Sequence, residues 1–277
     1  MNKLLKTIVF GKYKFFYLEN DKYIGQRIAL EKYEPYETQL ILRQANKGDV
    51  IVDVGANIGY YTVLLADKVG KRGNVYAFEP DKTNFEILVK NIKANKLENV
   101  VAVNAAVGSK NETKTLYVSK DNLGDHKLFN DQFLKSNVQK TKIIKLDDFV
   151  KDIKINLLKI DTQGWEPEVI SGAKKIIETD KPTIFLEYSP ASYKVAKLDG
   201  KGMMKLLKSV YLKIWWIDEW MYIYKNLGQE KIDRICATNK TSYADLWMKK
   251  ENTYSDLLNQ YKNIKIKQWV KKLFGEL

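Results

Sequence analysis

Cysteine is nearly absent. The 277 residues hold one, Cys236, so no internal disulfide can form and an oxidising compartment would add nothing to stability. Histidine is as scarce, with His126 alone, and no His/Cys cluster exists to hold a soft metal ion. No Pro/Gly/Ser-rich linker divides the chain, which therefore reads as one domain with elaborated ends. No apolar run approaches a membrane span, and the opening MNKLLKTIVFGKYKFF meets charge and glycine too early for a signal peptide. A cytoplasmic protein is expected. Acidic residues are outnumbered, 34 against 47 basic, for a net charge of +13. That excess draws the chain toward nucleic acid, phosphorylated substrates or lipid headgroups without choosing among them, and scattered lysines also serve plain solubility.

What the chain does have is a strand, a glycine turn and a helix over residues 51 to 66, IVDVGANIGYYTVLLA. A β-branched run ends at Asp53, the turn carries Gly55, Asn57 and Gly59, and Val63, Leu64 and Leu65 open a helical pattern. Glycines let backbone approach a ligand closely, and the new helix aims its unpaired N–H groups and positive dipole end at it. A dinucleotide fold wants G-x-G-x-x-G and an acidic residue about 20 positions on. This turn is one glycine short, while the acidic residue is present as Glu79 at the end of NVYAFEP. A nucleoside without a pyrophosphate fits better, and S-adenosylmethionine is the common one: amino-acid end on the glycine turn near Asp53, ribose on Glu79.

The rest of the chain alternates strands and helices. Residues 8 to 34 read as a β-hairpin turning at Asn20-Asp21, and a helix opens at Tyr36-Glu37. A crossover helix over 84 to 94 precedes the strand VVAVNAAV, and ETKTLYVS and TKIIKL flank the polar stretch DNLGDHKLFN. INLLKIDTQGWEPEVI is a buried strand entering a helix, with Asp161 at the strand's carboxyl end, where open α/β sheets bind ligands, and Pro167 in the first turn. PTIFLEYSP is a further strand ending in Glu187, which either orients an acceptor hydroxyl or caps a turn. IWWIDEWMYIYKN reads as a terminal antiparallel hairpin with Trp215, Trp216 and Trp220 packed on the sheet face.

DVGANIGYYT, AFEPDKTNFEIL, VNAAVGSKNET, KLDDF, LLKIDTQGWEPEVISGA and PTIFLEYSP, in that order over about residues 36 to 190, resemble the FkbM family of S-adenosylmethionine-dependent O-methyltransferases. The resemblance implies an α/β, Rossmann-like class I methyltransferase fold: a seven-stranded, mostly parallel sheet with an antiparallel terminal hairpin and helices on both faces. The residue patterns themselves divide the chain into a hairpin and helix over 1–48 covering the cofactor edge, a core over 49–228 and a C-terminal helical extension over 229–277. The resemblance places the adenine at Asn104 and Ala105. The acceptor it implies is a hydroxyl of a sugar, nucleotide sugar or lipid-linked glycan, with nucleic acid disfavoured because no Asn/Asp-Pro-Pro-Tyr motif is present. Where the family has a glutamate this chain has Gln163, so no catalytic metal is expected.

Methyl transfer to oxygen needs alignment and a base. His126 is the favoured base, since its unperturbed pKa lies near working pH and its Gly-Asp-His loop resembles one beside the acceptor in part of the family. Asp161 is the second candidate, or the group that holds the acceptor and touches the cofactor. In the tail, Ile266, Trp269, Val270, Leu273, Phe274 and Leu277 form one helical stripe with lysines off it. Docking on the protein's own surface, on a homodimer partner, or in an anionic membrane interface all satisfy that pattern.

Overall fold

The computed structural model describes residues 3–238 and 243–249, so the tail stripe lies outside the described residues. Strands β1 (Leu4–Val9) and β2 (Tyr13–Leu18) form a separate hairpin, followed by α1 (Gly25–Ala29) and α2 (Pro35–Gln44). Then come β3 (Val50–Val54), α3 (Tyr60–Val69), β4 (Asn74–Phe78), α4 (Lys82–Ala94) and β5 (Val100–Val103). A small second sheet is made by β6 (Ala106–Val107), β7 (Glu112–Ser119) and β8 (Ser136–Ile144). After α5 (Leu146–Phe149) the chain returns through β9 (Leu157–Ile160), α6 (Glu166–Gly172), α7 (Lys174–Thr179), β10 (Thr183–Tyr188), α8 (Pro190–Ala196) and α9 (Gly200–Val210). It ends in β11 (Trp215–Asp218), β12 (Ile223–Asn226), α10 (Gln229–Thr238) and β13 (Ala244–Met248).

The main sheet has the order β12-β11-β13-β10-β9-β3-β4-β5. Among the described residues it has eight strands, not seven. The hairpin β11–β12 forms as expected, but it is not the last addition: β13 inserts between β10 and β11, antiparallel to both. ADLWM therefore belongs to the core sheet, and the segment read as a helical extension contributes a central strand. Its apolar residues explain why. Ala244, Leu246 and Met248 enter one face of the core while Trp247 stacks on Phe185 and Trp215 on the other. Trp215 is buried, whereas Trp220 is 91% exposed in the β11–β12 turn and packs on no sheet face.

The N-terminal hairpin turns at Phe10-Gly11, both with positive φ, rather than at Asn20-Asp21. Asp21 instead accepts the N–H groups of Ile24 and Gly25 at the start of α1. The hairpin is fastened to α4 by Asn91 and Asn95, which bond the backbone of Phe16 and Lys14.

Strand alternation divides the sheet into two faces. Val52, Val54, Leu158, Ile160, Ile184 and Leu186 enter the core shared with α6, α7 and α9. Ile51, Leu157 and Phe185 enter the core shared with α2 and α3. Asp53, Lys159 and Glu187 alternate onto that second face, near the strands' carboxyl ends. Asp53 and Lys159 are register partners across β3 and β9, as are Glu187 and Asp245 across β10 and β13. The chain goes from β3 outward to β4 and β5, and from β9 the other way to β10. The crevice of an open α/β sheet opens at that switch point.

Candidate active site

A cavity of about 380 Å³ lies there, walled by the glycine turn, the ends of β3, β4, β9 and β10, the α1–α2 segment and the β7–β8 excursion. Gly55 has φ +82°, and a Cβ on it would stand 1.8 Å from the carbonyl oxygen of Asp161. Only glycine lets the chains leaving β3 and β9 pass this closely. Asn57 is also left-handed, and Gly59, with φ +88°, precedes the first turn of α3.

Asp53 is buried beneath this turn. Its Oδ2 accepts from Thr62 Oγ1 at 2.6 Å, while its Oδ1 is buried with no partner among the described residues. Burial raises its pKa, against the pull of Lys159 and Thr62. A buried carboxylate oxygen left unpaired at a ligand cavity calls for a donor from the ligand. A cationic ligand group such as an ammonium would supply one.

Glu79 accepts N–H bonds from Asn57 and Asp81, each at 2.8 Å and one to each oxygen. Each oxygen keeps a lone pair for a ribose hydroxyl. Burial pushes its carboxyl from 4.5 up to about 8. The folded protein thus keeps a proton here that the unfolded chain loses. The stabilisation this gives is full below about pH 4.5 and is lost as pH rises through about 8. With ribose hydroxyls donating to this carboxylate, as the sequence leads one to expect, binding would release that proton. Affinity for S-adenosylhomocysteine is expected to rise between pH 6 and 8 and level off above, by titration calorimetry. In Glu79→Gln that rise should disappear, and a slope that survives would place the titrating group elsewhere.

The two residues expected at the adenine lie off the cavity wall. Neither Asn104 nor Ala105 lines the cavity; Ala106 and Val107 do, with Phe78, Leu116 and Leu128. The Ala105 N–H turns back to the Val103 carbonyl, and the Asn104 amide donates to the carbonyls of Glu79 and Pro80, closing the β4 end from outside. The result is an apolar slot beside Glu79.

The three expected catalytic groups do not meet. Asp161 and Glu187 share Gln163, whose Nε2 donates to Asp161 Oδ1 at 2.7 Å and Glu187 Oε2 at 3.3 Å. An amide joins both carboxyl groups here, where a third carboxylate would repel them. Burial first, then Asp161, lifts the Glu187 pKa well above the usual carboxylate range. His126 belongs to the opposite set of partners, beside Asp81. Its loop is pinned over the cofactor turn, where Asn57 and Asn84 both donate to the Leu123 carbonyl at 3.0 Å. His126 Nδ1 accepts the Ser119 N–H at 3.1 Å. That bond puts the proton of the neutral ring on Nε2, which is buried 4.0 Å from Asp81 Oδ1. A ring so arranged donates; it has no lone pair to offer an acceptor proton, which argues against the base role.

Glu166 serves its own loop. Its Oε1 accepts from the Thr162 N–H, the Thr162 hydroxyl and the Gly164 N–H. Among the described residues, no group of three or more His, Cys, Asp or Glu side chains is arranged to hold a metal ion.

Lys159 was missed by the sequence reading. It is buried, its Nζ lies 3.3 Å from Asp161 Oδ2 and 4.6 Å from the centre of the Tyr61 ring, and it lines the cavity. Burial alone would lower its pKa, but Asp161, then Asp53, Glu34 and Glu37, more than reverse this and hold it charged. Glu34 reaches the cavity from the N-terminal segment and accepts the Tyr61 hydroxyl at 2.8 Å. One signal was available: in LLKID a lysine interrupts a fully buried strand two residues before Asp161, hence on the same face.

The strand switch, the glycine turn, the acidic residue ending the next strand and the apolar slot together define a class I, S-adenosylmethionine-dependent methyltransferase domain. The family described as Methyltransferase FkbM domain matches residues 53–214, and the chain belongs to that family. It is 27% identical over 178 residues to the hexuronic acid methyltransferase AglP of Haloferax volcanii, covering 63% of this chain and 67% of that protein. A shorter match, 46% identical over 59 residues, is to tRNA(Phe) (4-demethylwyosine(37)-C(7)) aminocarboxypropyltransferase of Methanocaldococcus jannaschii, covering 21% of this chain and 23% of that one. The crystal structure of methyltransferase FkbM from Methylobacillus flagellatus KT aligns with a TM-score of 0.45 and 16% identity, over 74% of this chain and 44% of that one. The chain thus spans under half the length of the last two.

Proposed function

We propose that the protein methylates a hydroxyl of a sugar-type acceptor, free, nucleotide-linked or lipid-linked. The observation that carries this reading is the polar end of the cavity, where Asp161, Gln163, Glu187, Lys159 and Tyr243 gather beyond the glycine turn. Carboxyl, amide, ammonium and phenol groups are the donor and acceptor set that a polyhydroxyl ring satisfies. The likeness to a hexuronic acid methyltransferase supports the same class. Arg27 and Lys159 are the arginine and lysine side chains of the wall among the described residues, and Lys159 is already paired with Asp161, which leaves too little positive charge to neutralise a polyphosphate strand despite the basic surface.

Asp53, Gly55, Asn57, Gly59 and Glu79 would hold S-adenosylmethionine, with Ala106 and Val107 against its adenine. When bound, it supplies an electrophilic methyl group on a sulfonium. The chain supplies position and proton handling. Asp161 takes the acceptor's proton on a carboxylate oxygen as the C–O bond forms and that proton becomes acidic, Lys159 holds the Asp161 carboxylate in place, and Gln163 with Glu187 orients the ring.

The test is a turnover screen for S-adenosylhomocysteine against uronic acids, neutral sugars, nucleotide sugars, lipid-linked glycans and RNA. Product from sugar hydroxyls is expected. Turnover on RNA alone would overturn the reading.

A further inference from the structure

His126 is the sole histidine of the chain, and its side chain is 7% exposed. It lines the cavity, yet its Nε2 is buried without a hydrogen-bond partner among the described residues; the nearest carboxylate oxygen, Asp81 Oδ1, lies 4.0 Å away. An N–H left unpaired in a buried site costs the protein its lost hydration unless something else accepts it. The neighbours identify the end of the cavity concerned. Asp81 donates its N–H to Glu79, Asn57 donates its own N–H to Glu79, and the Asn57 amide pins the His126 loop through Leu123. Leu116 and Leu128 of the apolar slot flank the same excursion.

We infer that His126 is a cofactor-recognition residue: its Nε2–H donates to a hydrogen-bond acceptor on the nucleoside half of S-adenosylmethionine, completing what Glu79 begins. Ser119 fixes the tautomer from behind by donating to Nδ1. Burial lowers the imidazole pKa against the opposing pull of Asp81 and Asp21, which keeps the ring in the neutral form this role needs. The inference rests on the assignment of the cavity to S-adenosylmethionine and gives His126 a task other than proton abstraction.

A single histidine makes the test direct. In protein labelled with ¹⁵N-histidine, one imidazole is seen, and it should be the Nε2–H tautomer. Saturation with S-adenosylhomocysteine should shift its Nε2 and Hε2 resonances and slow the exchange of that proton with water. By calorimetry His126→Leu should weaken S-adenosylhomocysteine about fivefold or more, in line with loss of one buried hydrogen bond. It should weaken 5′-methylthioadenosine, which lacks the amino-acid end, by the same factor. His126→Gln, which keeps an N–H near that position, should recover most of the affinity. Asp53→Asn is the opposite control, weakening S-adenosylhomocysteine and sparing methylthioadenosine. An Nδ1–H tautomer, resonances unmoved by saturating ligand, or equal affinity of His126→Leu and wild type would each overturn the inference. If wild type binds neither compound, the cofactor assignment itself fails. The resonance measurement uses wild-type protein, so a variant that folds poorly leaves the question decidable.

Discussion

Alanine in place of Gly55 is expected to abolish measurable binding of S-adenosylhomocysteine and to lower the melting temperature sharply. Two costs add. The residue has φ +82°, and left-handed backbone costs a non-glycine residue about 1–2 kcal/mol. The added Cβ would also lie 1.8 Å from the Asp161 carbonyl oxygen, and no side-chain rotation relieves a clash with backbone. Strand β3 or β9 must move, and with it Asp53 or Asp161. Two other glycines calibrate the effect. Gly59 has φ +88°, but its Cβ would meet the tip of Leu88 at 2.5 Å, an atom that can swing away. Gly48, also at +88°, has nothing within 4 Å, so its alanine variant should carry the conformational cost alone. Melting temperatures should fall least for Gly48→Ala, more for Gly59→Ala and most for Gly55→Ala. A Gly55→Ala protein as stable as Gly48→Ala would show that β3 and β9 do not approach as described.

Local signals read well because they are short-range. The glycine turn, Glu79 at the end of β4 and Asp161 at the end of β9 each follow from a strand meeting a turn, and each lines the cavity. What the sequence hid is what depends on pairing across distance. ADLWM looks like any short apolar run until β10 and β11 are known to leave room for an antiparallel strand between them. Lys159 looks like a solvated lysine until the register sets it opposite Asp53. Asn104 and Ala105 stand outside the cavity wall, which Ala106 and Val107 enter instead, and the Ala105 N–H turning back to the Val103 carbonyl is a local bond that no sequence pattern announces. His126 lines the cavity, but the placement of its ring proton is not legible in the sequence. Its loop sits over the cofactor turn, and only the Ser119 N–H fixes which nitrogen carries the proton.

Asp161→Asn is expected to cut kcat by roughly 10²–10⁴, the usual weight of a positioned acid or base, with S-adenosylhomocysteine affinity changed only a few-fold. The substitution keeps the shape and a hydrogen bond from Gln163 but removes the proton acceptor. Asp161 suits the task because it is held without being enclosed: Lys159 at 3.3 Å and Gln163 at 2.7 Å fix its two oxygens, and its side chain is still 26% exposed, against 4% for Lys159. Lys159→Met should act differently. It strands Asp53 and Asp161 beside each other without their shared cation, and removing one partner of a buried ion pair costs about 3–5 kcal/mol of stability. Adding Asp161→Asn to Lys159→Met should restore part of that loss, because the stranded charge goes with it, while turnover stays low. His126→Leu completes the comparison: at saturating cofactor its kcat should remain near wild type, the deficit appearing in cofactor affinity. The assignment falls if Asp161→Asn keeps more than about a tenth of wild-type kcat, or if His126→Leu at saturating cofactor loses the hundredfold or more expected of a missing base.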